Sequence, residues 1–256
     1  MDAIETQSGV TLAVSAVNLA TGESVQHQSS EPLPMCSLFK VIAVGALLKA
    51  HAYDEQYLNT PVPFSADQIV VNSPVASKLG ILQMTPNEMA DAALRYSDNT
   101  AGNLLLEQIG GPAAIRQLAQ QLGATSTRLD RAEPELNEGI PGDLRDTTTA
   151  DDMVTILRAL LIDGQAGQLT QSKLQDWMLQ NTTSGARARA GLSGSYELAD
   201  KTGAGGYGIV NDAGVLWQGG SGPIVFSILT RTDDPAAKNN NDVIAQAMRL
   251  ITLELQ

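Results

Sequence analysis

The chain of 256 residues is poor in the side chains that build metal centres and covalent cross-links. It has one cysteine, Cys36, which excludes an internal disulfide and a multi-cysteine metal site. Its two histidines, His27 and His51, lie far apart without ligand spacing, so no histidine zinc cage is expected. No metal and no cofactor is expected on these grounds. Cations are scarce too: 16 Lys and Arg stand against 28 Asp and Glu, a formal net charge of −12. A field of that sign disfavours nucleic acid and anionic membrane surfaces, and any anionic small ligand needs a local cationic patch. No stretch approaches the roughly 18 apolar residues of a membrane span. The longest, Leu38 to Leu48, is interrupted by Lys40 and Gly45. The opening MDAIETQSG offers neither a basic n-region nor an apolar h-region, so no signal peptide is read there. That suits a cytoplasmic protein or the mature form of an exported one.

What is present is enough apolar residue, 43%, to bury a core, in one large domain or two modest ones. Val- and Leu-rich Gly9 to Asn18, a turn at Ala20 to Glu23, and Ser24 to Gln28 read as a strand hairpin. A helical middle follows. Thr85-Pro86-Asn87-Glu88 is a capping box with proline at the first helical position, launching a helix towards Arg95. Further helices are expected over Asn99 to Ile109, Ala113 to Leu122, Ala150 to Leu161 behind Thr149, and Gln171 to Gln180 behind Thr170. Strands return at Tyr196 to Thr202, Gly208 to Trp217 and Ile224 to Arg231, parted by GAGG and GGSGP turns, before a last helix from Asn241 to Leu255. Strands at both ends imply one sheet built from both chain ends. The expected architecture is α/β of the α+β type: a mainly antiparallel five-stranded sheet flanked by helices, with an inserted all-α domain. Its boundaries are 1–35 with 181–256 for the α/β domain and 36–180 for the all-α domain.

Three short patterns carry possible chemistry. In Met35 to Ala50, Ser37 opens a helix and Lys40 sits one turn on, among Leu38, Phe39, Val41 and Ile42. Residues i and i+3 lie on neighbouring helix faces, so the amine can reach the hydroxyl, and burial lowers a lysine's pKa towards that of a base. The plain alternative is a helix cap with a lysine that reaches solvent along its stem. In Tyr96-Ser97-Asp98-Asn99, Ser97 can relay a proton and Asn99 can hold an amide, though Ser, Asp and Asn also begin helices. In Lys201-Thr202-Gly203-Ala204, the first two residues can hold a carboxylate, while Gly203 leaves the backbone bare for a ligand. As a structural reading, the same four residues are an ordinary strand end.

Taken together and in this order, Ser37-x-x-Lys40, Ser97-Asp98-Asn99 and Lys201-Thr202-Gly203 resemble the signature of the class A serine β-lactamases and penicillin-binding proteins. The resemblance spans almost the full chain. The segment RAEPELNEGIPGDLRD, Arg131 to Asp146, resembles the Ω-loop of the class A enzymes, and its terminal charges can close the neck with an ion pair. The resemblance implies a cis bond at Glu133-Pro134. It also implies a serine acyl-enzyme on Ser37, with Lys40, Ser97 and Glu133 as the other catalytic residues. The oxyanion hole would be the backbone N–H groups of Ser37 and Ala204. Asn99, Asn137, Lys201, Thr202, Gly203, Ala204 and Arg187 would bind substrate, a small-molecule β-lactam, and Glu133 with Asn137 would hold a water over the ester. A monomer in the periplasm or outside the cell is further implied. Two departures stand out: Asn72 occupies a position where the family often has an aromatic, and Cys36 stands where some relatives have a disulfide-bonded cysteine, but the partner position here is Gly205, so its thiol should be free. A D-Ala-D-Ala carboxypeptidase and a non-hydrolysing β-lactam sensor share the serine–lysine pair, but neither needs Glu133 and Asn137. A Ser-His-Asp esterase is disfavoured because the chain has no G-x-S-x-G elbow.

Overall fold

The computed structural model describes residues 1–220 and 222–255; Ser221, in the GGSGP turn, and Gln256 lie outside the described residues. One five-stranded sheet organises the molecule. Its order is β2-β1-β9-β8-β7, with β1 (Thr11–Asn18), β2 (Ser24–His27), β7 (Tyr196–Ala204), β8 (Val210–Gln218) and β9 (Pro223–Arg231). Every neighbouring pair is antiparallel. The first strand therefore lies between the second and the last, which is the closure of both chain ends expected from the sequence. Asn18 fastens it further, donating from Nδ2 to the Leu255 carbonyl at 2.8 Å.

Alternation along the strands splits the core into two layers. Leu12, Val14, Ala16, Phe226 and Ile228 pack with Val243, Ile244, Met248 and Ile251 of α10 (Asn241–Leu255) and Ile4 of α1 (Asp2–Ser8). Ala13, Ala199, Ala213, Val215, Val225 and Leu229 face the opposite way, towards the helical part. The three alanines on that face let helices approach closely. Against it lie α7 (Ala150–Leu161) and α8 (Gln168–Leu179). Fully burying side chains such as Phe226 and Ile228 stabilises the fold by about 1.5–3 kcal/mol each.

In the helical part, α2 (Phe39–His51) is buried on nearly all sides, as its apolar run requires. It packs against α4 (Pro86–Arg95), α5 (Asn99–Ile109), α6 (Pro112–Gln121) and α8. The starts of these helices follow local chemistry. Thr85 and Glu88 form the reciprocal capping box, and Asp98 caps α5 by accepting from the Ala101 N–H at 2.9 Å. Gly110 ends α5 in the left-handed region at φ 90°. Short pieces complete the chain: α3 (Glu55–Leu58), α9 (Ala188–Gly191), and two-residue ladders of β3 (Leu33–Pro34) with β6 (Thr147–Thr148) and β4 (Val62–Pro63) with β5 (Gln83–Met84).

Two boundaries differ from the sequence reading. Thr170 does not cap α8: Gly167, at φ 102°, takes that place, and Thr170 is buried one turn inside the helix. Glycine is favoured at caps as well as at breaks, so the more distinctive threonine misleads. The GAGG stretch is also not wholly a turn, because Gly203 and Ala204 still pair with β8.

Candidate active site

The β3–β6 ladder delivers the chain to Met35, whose N–H donates to the Asp146 carbonyl at 2.9 Å. Cys36 then adopts φ 48°, the left-handed region that ordinary residues avoid at a cost of about 1–3 kcal/mol. A single 3₁₀ turn, Cys36–Leu38, holds Ser37 directly ahead of α2. Lys40 follows one turn on, with no solvent-exposed surface, so it does not snorkel. Its Nζ donates to Ser37 Oγ at 2.9 Å, the Ser97 carbonyl at 2.9 Å and Asn99 Oδ1 at 2.7 Å, and lies 3.0 Å from Glu133 Oε1. Burial lowers the pKa of Lys40, while the Glu133 charge opposes that shift. Room for this side chain comes from Gly102 on α5: a Cβ there would sit 2.7 Å from Lys40 Cε.

The loop from Arg131 to Asp146 brings the carboxylate. Its neck is closed as the opposite terminal charges suggest, Arg131 Nε donating to Asp146 Oδ2 at 2.6 Å. Asp146 is fully buried and also accepts from the N–H groups of Asp130 and Arg131, at 2.8 and 2.9 Å. Arg131 reaches Glu138 inside the loop as well. The Glu133-Pro134 bond is cis. Asn103 clamps the Glu133 backbone from both sides: Nδ2 donates to its carbonyl and Oδ1 accepts from its N–H, each at 2.9 Å. The Glu133 carboxylate, with its side chain fully buried, lies 3.3 Å from Ser37 Oγ through Oε1 and accepts from Asn137 Nδ2 through Oε2.

The third wall is the edge strand β7. Lys201 is fully buried and donates to Ser97 Oγ at 2.9 Å and to the Thr202 carbonyl at 2.7 Å. Burial, with the like charges of Lys40 and Arg187, drives its pKa well below the ordinary lysine value. Ser97, at φ 58°, is shared between the two lysines, its carbonyl facing Lys40 and its hydroxyl Lys201. Thr202 Oγ1 lies 2.6 Å from Thr183 Oγ1. Gly203 lets β7 lie close against the Ser37 turn, since a Cβ there would meet the Met35 carbonyl at 3.0 Å and Cys36 Cβ at 3.2 Å. Gly205 faces Cys36, and its absent Cβ would lie 2.9 Å from Sγ. The thiol is free and buried, and burial beside Glu133 raises its pKa far above the usual range. Arg187 braces the strand from behind, donating to the carbonyls of Gly203 at 2.6 Å and Asn211 at 3.0 Å.

These walls enclose a cleft of about 670 Å³ lined by Ser37, Ser97, Asn99, Asn137, Thr202 and Ala204, among others. Lys40, Glu133 and Lys201 lie beneath it. Every residue singled out from the sequence thus falls in or against one cavity. Asn99 lines it with its carboxamide already engaged, Oδ1 by Lys40 and Nδ2 by the Val71 carbonyl at 3.1 Å. Asn72, at φ 60°, stands on the rim. Gly102 and Asn103 escaped the sequence reading. Their only signal is position, one turn into α5 after the Ser97-Asp98-Asn99 cap.

A hydroxyl flanked by a buried amine and a buried carboxylate, with cations along one wall, defines a serine acyl-transfer site. The family model described as "Beta-lactamase enzyme family" matches residues 1–255. Beta-lactamase AST-1 of Nocardia asteroides is 40% identical over 248 residues, 97% of this chain and 80% of that protein. Among solved structures, the β-lactamase from Streptomyces albus G superposes with a TM-score of 0.97 at 36% identity, covering 100% of this chain and 97% of that one. A β-lactamase from Burkholderia phymatum gives 0.96 at 37% identity, covering 100% and 96%. The chain belongs to the class A serine β-lactamase family. No helix among the described residues is long and apolar enough to cross a membrane.

Proposed function

We propose that this protein hydrolyses the β-lactam amide of penicillin- and cephalosporin-type antibiotics through an acyl-enzyme on Ser37, and so confers resistance to them. Ser37 Oγ attacks the ring carbonyl and loses its proton to the Lys40–Glu133 pair, whose N···O distance is 3.0 Å. Negative charge on the carbonyl oxygen is met by the N–H groups of Ser37 and Ala204. Ser97 hands a proton to the departing ring nitrogen, with Lys201 holding its hydroxyl at 2.9 Å. Lys201, Thr202 and Arg187 supply the local positive field that an anionic substrate needs against a net charge of −12. Glu133, steadied by Asn137 and Asn103, then activates the water that cleaves the ester.

The observation that carries this reading is the position of Glu133 Oε1, 3.3 Å from the nucleophilic oxygen. A carboxypeptidase or a sensor does not need a carboxylate over its ester. Residues 1–35 with 181–256 would form one lobe and 36–180 the other, with the cleft at their junction. The same family reading makes the protein a monomer working in the periplasm or outside the cell.

The test is Glu133→Ala mixed with a penicillin. Deacylation slowed by about 10²- to 10⁴-fold is expected, leaving a long-lived adduct on Ser37 in intact-protein mass spectra. Rapid return to the unmodified mass overturns the assignment. Ser37→Ala in the wild-type background should abolish hydrolysis of a chromogenic cephalosporin.

A further inference from the structure

Two buried carboxyl groups behind the Lys201 strand take no part in the chemistry above. Asp200 of β7 and Asp212 of β8 have no exposed surface. Asp212 pairs with Thr202, two residues on from Asp200, so both acids stand on one face of the sheet. Their carboxyl groups stand close enough to act on each other directly. Asp200 Oδ1 accepts from Arg189 Nη2 at 3.0 Å, and Asp212 Oδ2 accepts from the Ala188 N–H at 3.1 Å. Ser184 and Asn181 lie beside Asp200. Asp200 Oδ2 and Asp212 Oδ1 have no hydrogen bond of normal length among the described residues, although Ser184 and Asn181 stand close enough to Asp200 to favour its charged form.

Two ionised carboxylates in contact inside a dry site repel strongly, and one proton turns that contact into a charge-assisted O–H···O bond. We propose that Asp200 and Asp212 hold one proton between them, and that this singly charged pair is a positioning device for Lys201 and Arg187. Burial, with repulsion from Asp200, holds Asp212 well above the usual carboxylate range, and Asp200 is raised chiefly by burial. The charged groups facing the pair are Lys201 on β7 and Arg187 and Arg189 around α9; α10 contributes Asn241, which accepts from Arg187 Nε at 2.9 Å. Each acid favours the charged forms of Lys201 and Arg187. One negative charge supports those cations without cancelling them. A second would lower the potential of the wall that receives an anionic substrate.

The functional half of the proposal rests on Lys201 acting as a substrate-binding cation, whereas the shared proton does not. In the full wild-type chain near neutral pH, infrared spectroscopy should find the carbonyl stretch of a protonated carboxylic acid, sensitive to deuterium exchange, and Asp212→Asn should lose it. Asparagine can donate to Asp200 and accept from the Ala188 N–H while leaving one charge. Asp212→Asn should therefore keep kcat/KM within about threefold, whereas Asp212→Ala, which orphans buried groups, should lower it about tenfold. Absence of the acid band in wild-type protein overturns the shared proton. Asp212→Asn behaving like Asp212→Ala overturns the positioning role. If the band is present but no β-lactam is hydrolysed, the functional reading fails and the proton pair stands.

Discussion

Ser97 stands between two buried lysines that the protein treats differently. On one side Lys40 has a carboxylate at 3.0 Å and three oxygen acceptors, so its charge is balanced within the fold. On the other, Lys201 touches only a hydroxyl and a backbone carbonyl, and no carboxylate among the described residues pairs with it directly. Both ammonium groups are equally dry. On the proposed mechanism, the difference separates their uses: one charge serves the protein's own proton chemistry, the other meets charge that arrives with the ligand.

The comparison is broken most severely at Lys40. Lys40→Ala removes one half of the proposed base pair and strands Glu133 in the interior. Acylation should fall by about 10³-fold or more, read by burst kinetics. Because an uncompensated buried charge remains, stability should drop by about 3–5 kcal/mol in urea unfolding. A variant as stable as the wild type would mean that Glu133 is not held as an ion.

A finer probe disturbs Lys40 without removing it. Gly102→Ala places a methyl 2.7 Å from Cε of a side chain pinned by four contacts. Acylation should slow by about tenfold, since small misplacements at a reacting centre are costly. The Lys201 side should be untouched, with KM for a carboxylate-bearing substrate little changed. A shift in KM alone would put the strain on the wrong lysine.

The smallest effect is expected at Lys201, in the pH profile. Its pKa lies below that of an ordinary lysine because burial, Lys40 and Arg187 disfavour the charge. As pH rises through that lowered value the cation is lost, and kcat/KM for an anionic substrate should decline earlier than an exposed lysine would allow. Arginine keeps its charge throughout, so Lys201→Arg should move this alkaline limb upward, with activity at pH 7 changed by only about twofold. An unmoved limb would mean that another group sets it.

Much of this fold is legible in the amino-acid sequence. The capping box at Thr85, the span Asn99–Ile109 and the last helix were readable because caps and periodicity act over a few residues. Short, ordered patterns also marked Ser37, Lys40 and Lys201 as candidates, and the resemblance of the Arg131–Asp146 loop added Glu133; the structure sets all four around one cleft. What stayed hidden acts across the chain. Asn103 holds Glu133 from 30 residues away, and nothing local marks an asparagine for that duty. Gly102 carries no local mark of its role, because the lysine that needs its space belongs to another helix. Asp200 and Asp212 are brought to one face of the sheet only by the β7–β8 register, which no local pattern announces. Thr170 shows the converse, a good capping residue overridden by packing.

The closure of the sheet by both chain ends bears on biosynthesis. A nascent polypeptide extended only to Gly191 already contains Ser37, Lys40, Ser97 and Glu133, yet it lacks the strand that carries Lys201 and the partner that β1 requires on its inner side. Such contacts between distant segments form late. The segments that carry Lys201 and pair with β1 must therefore be made before Ser37 meets its third wall, so the cleft closes only once strands distant in sequence have joined.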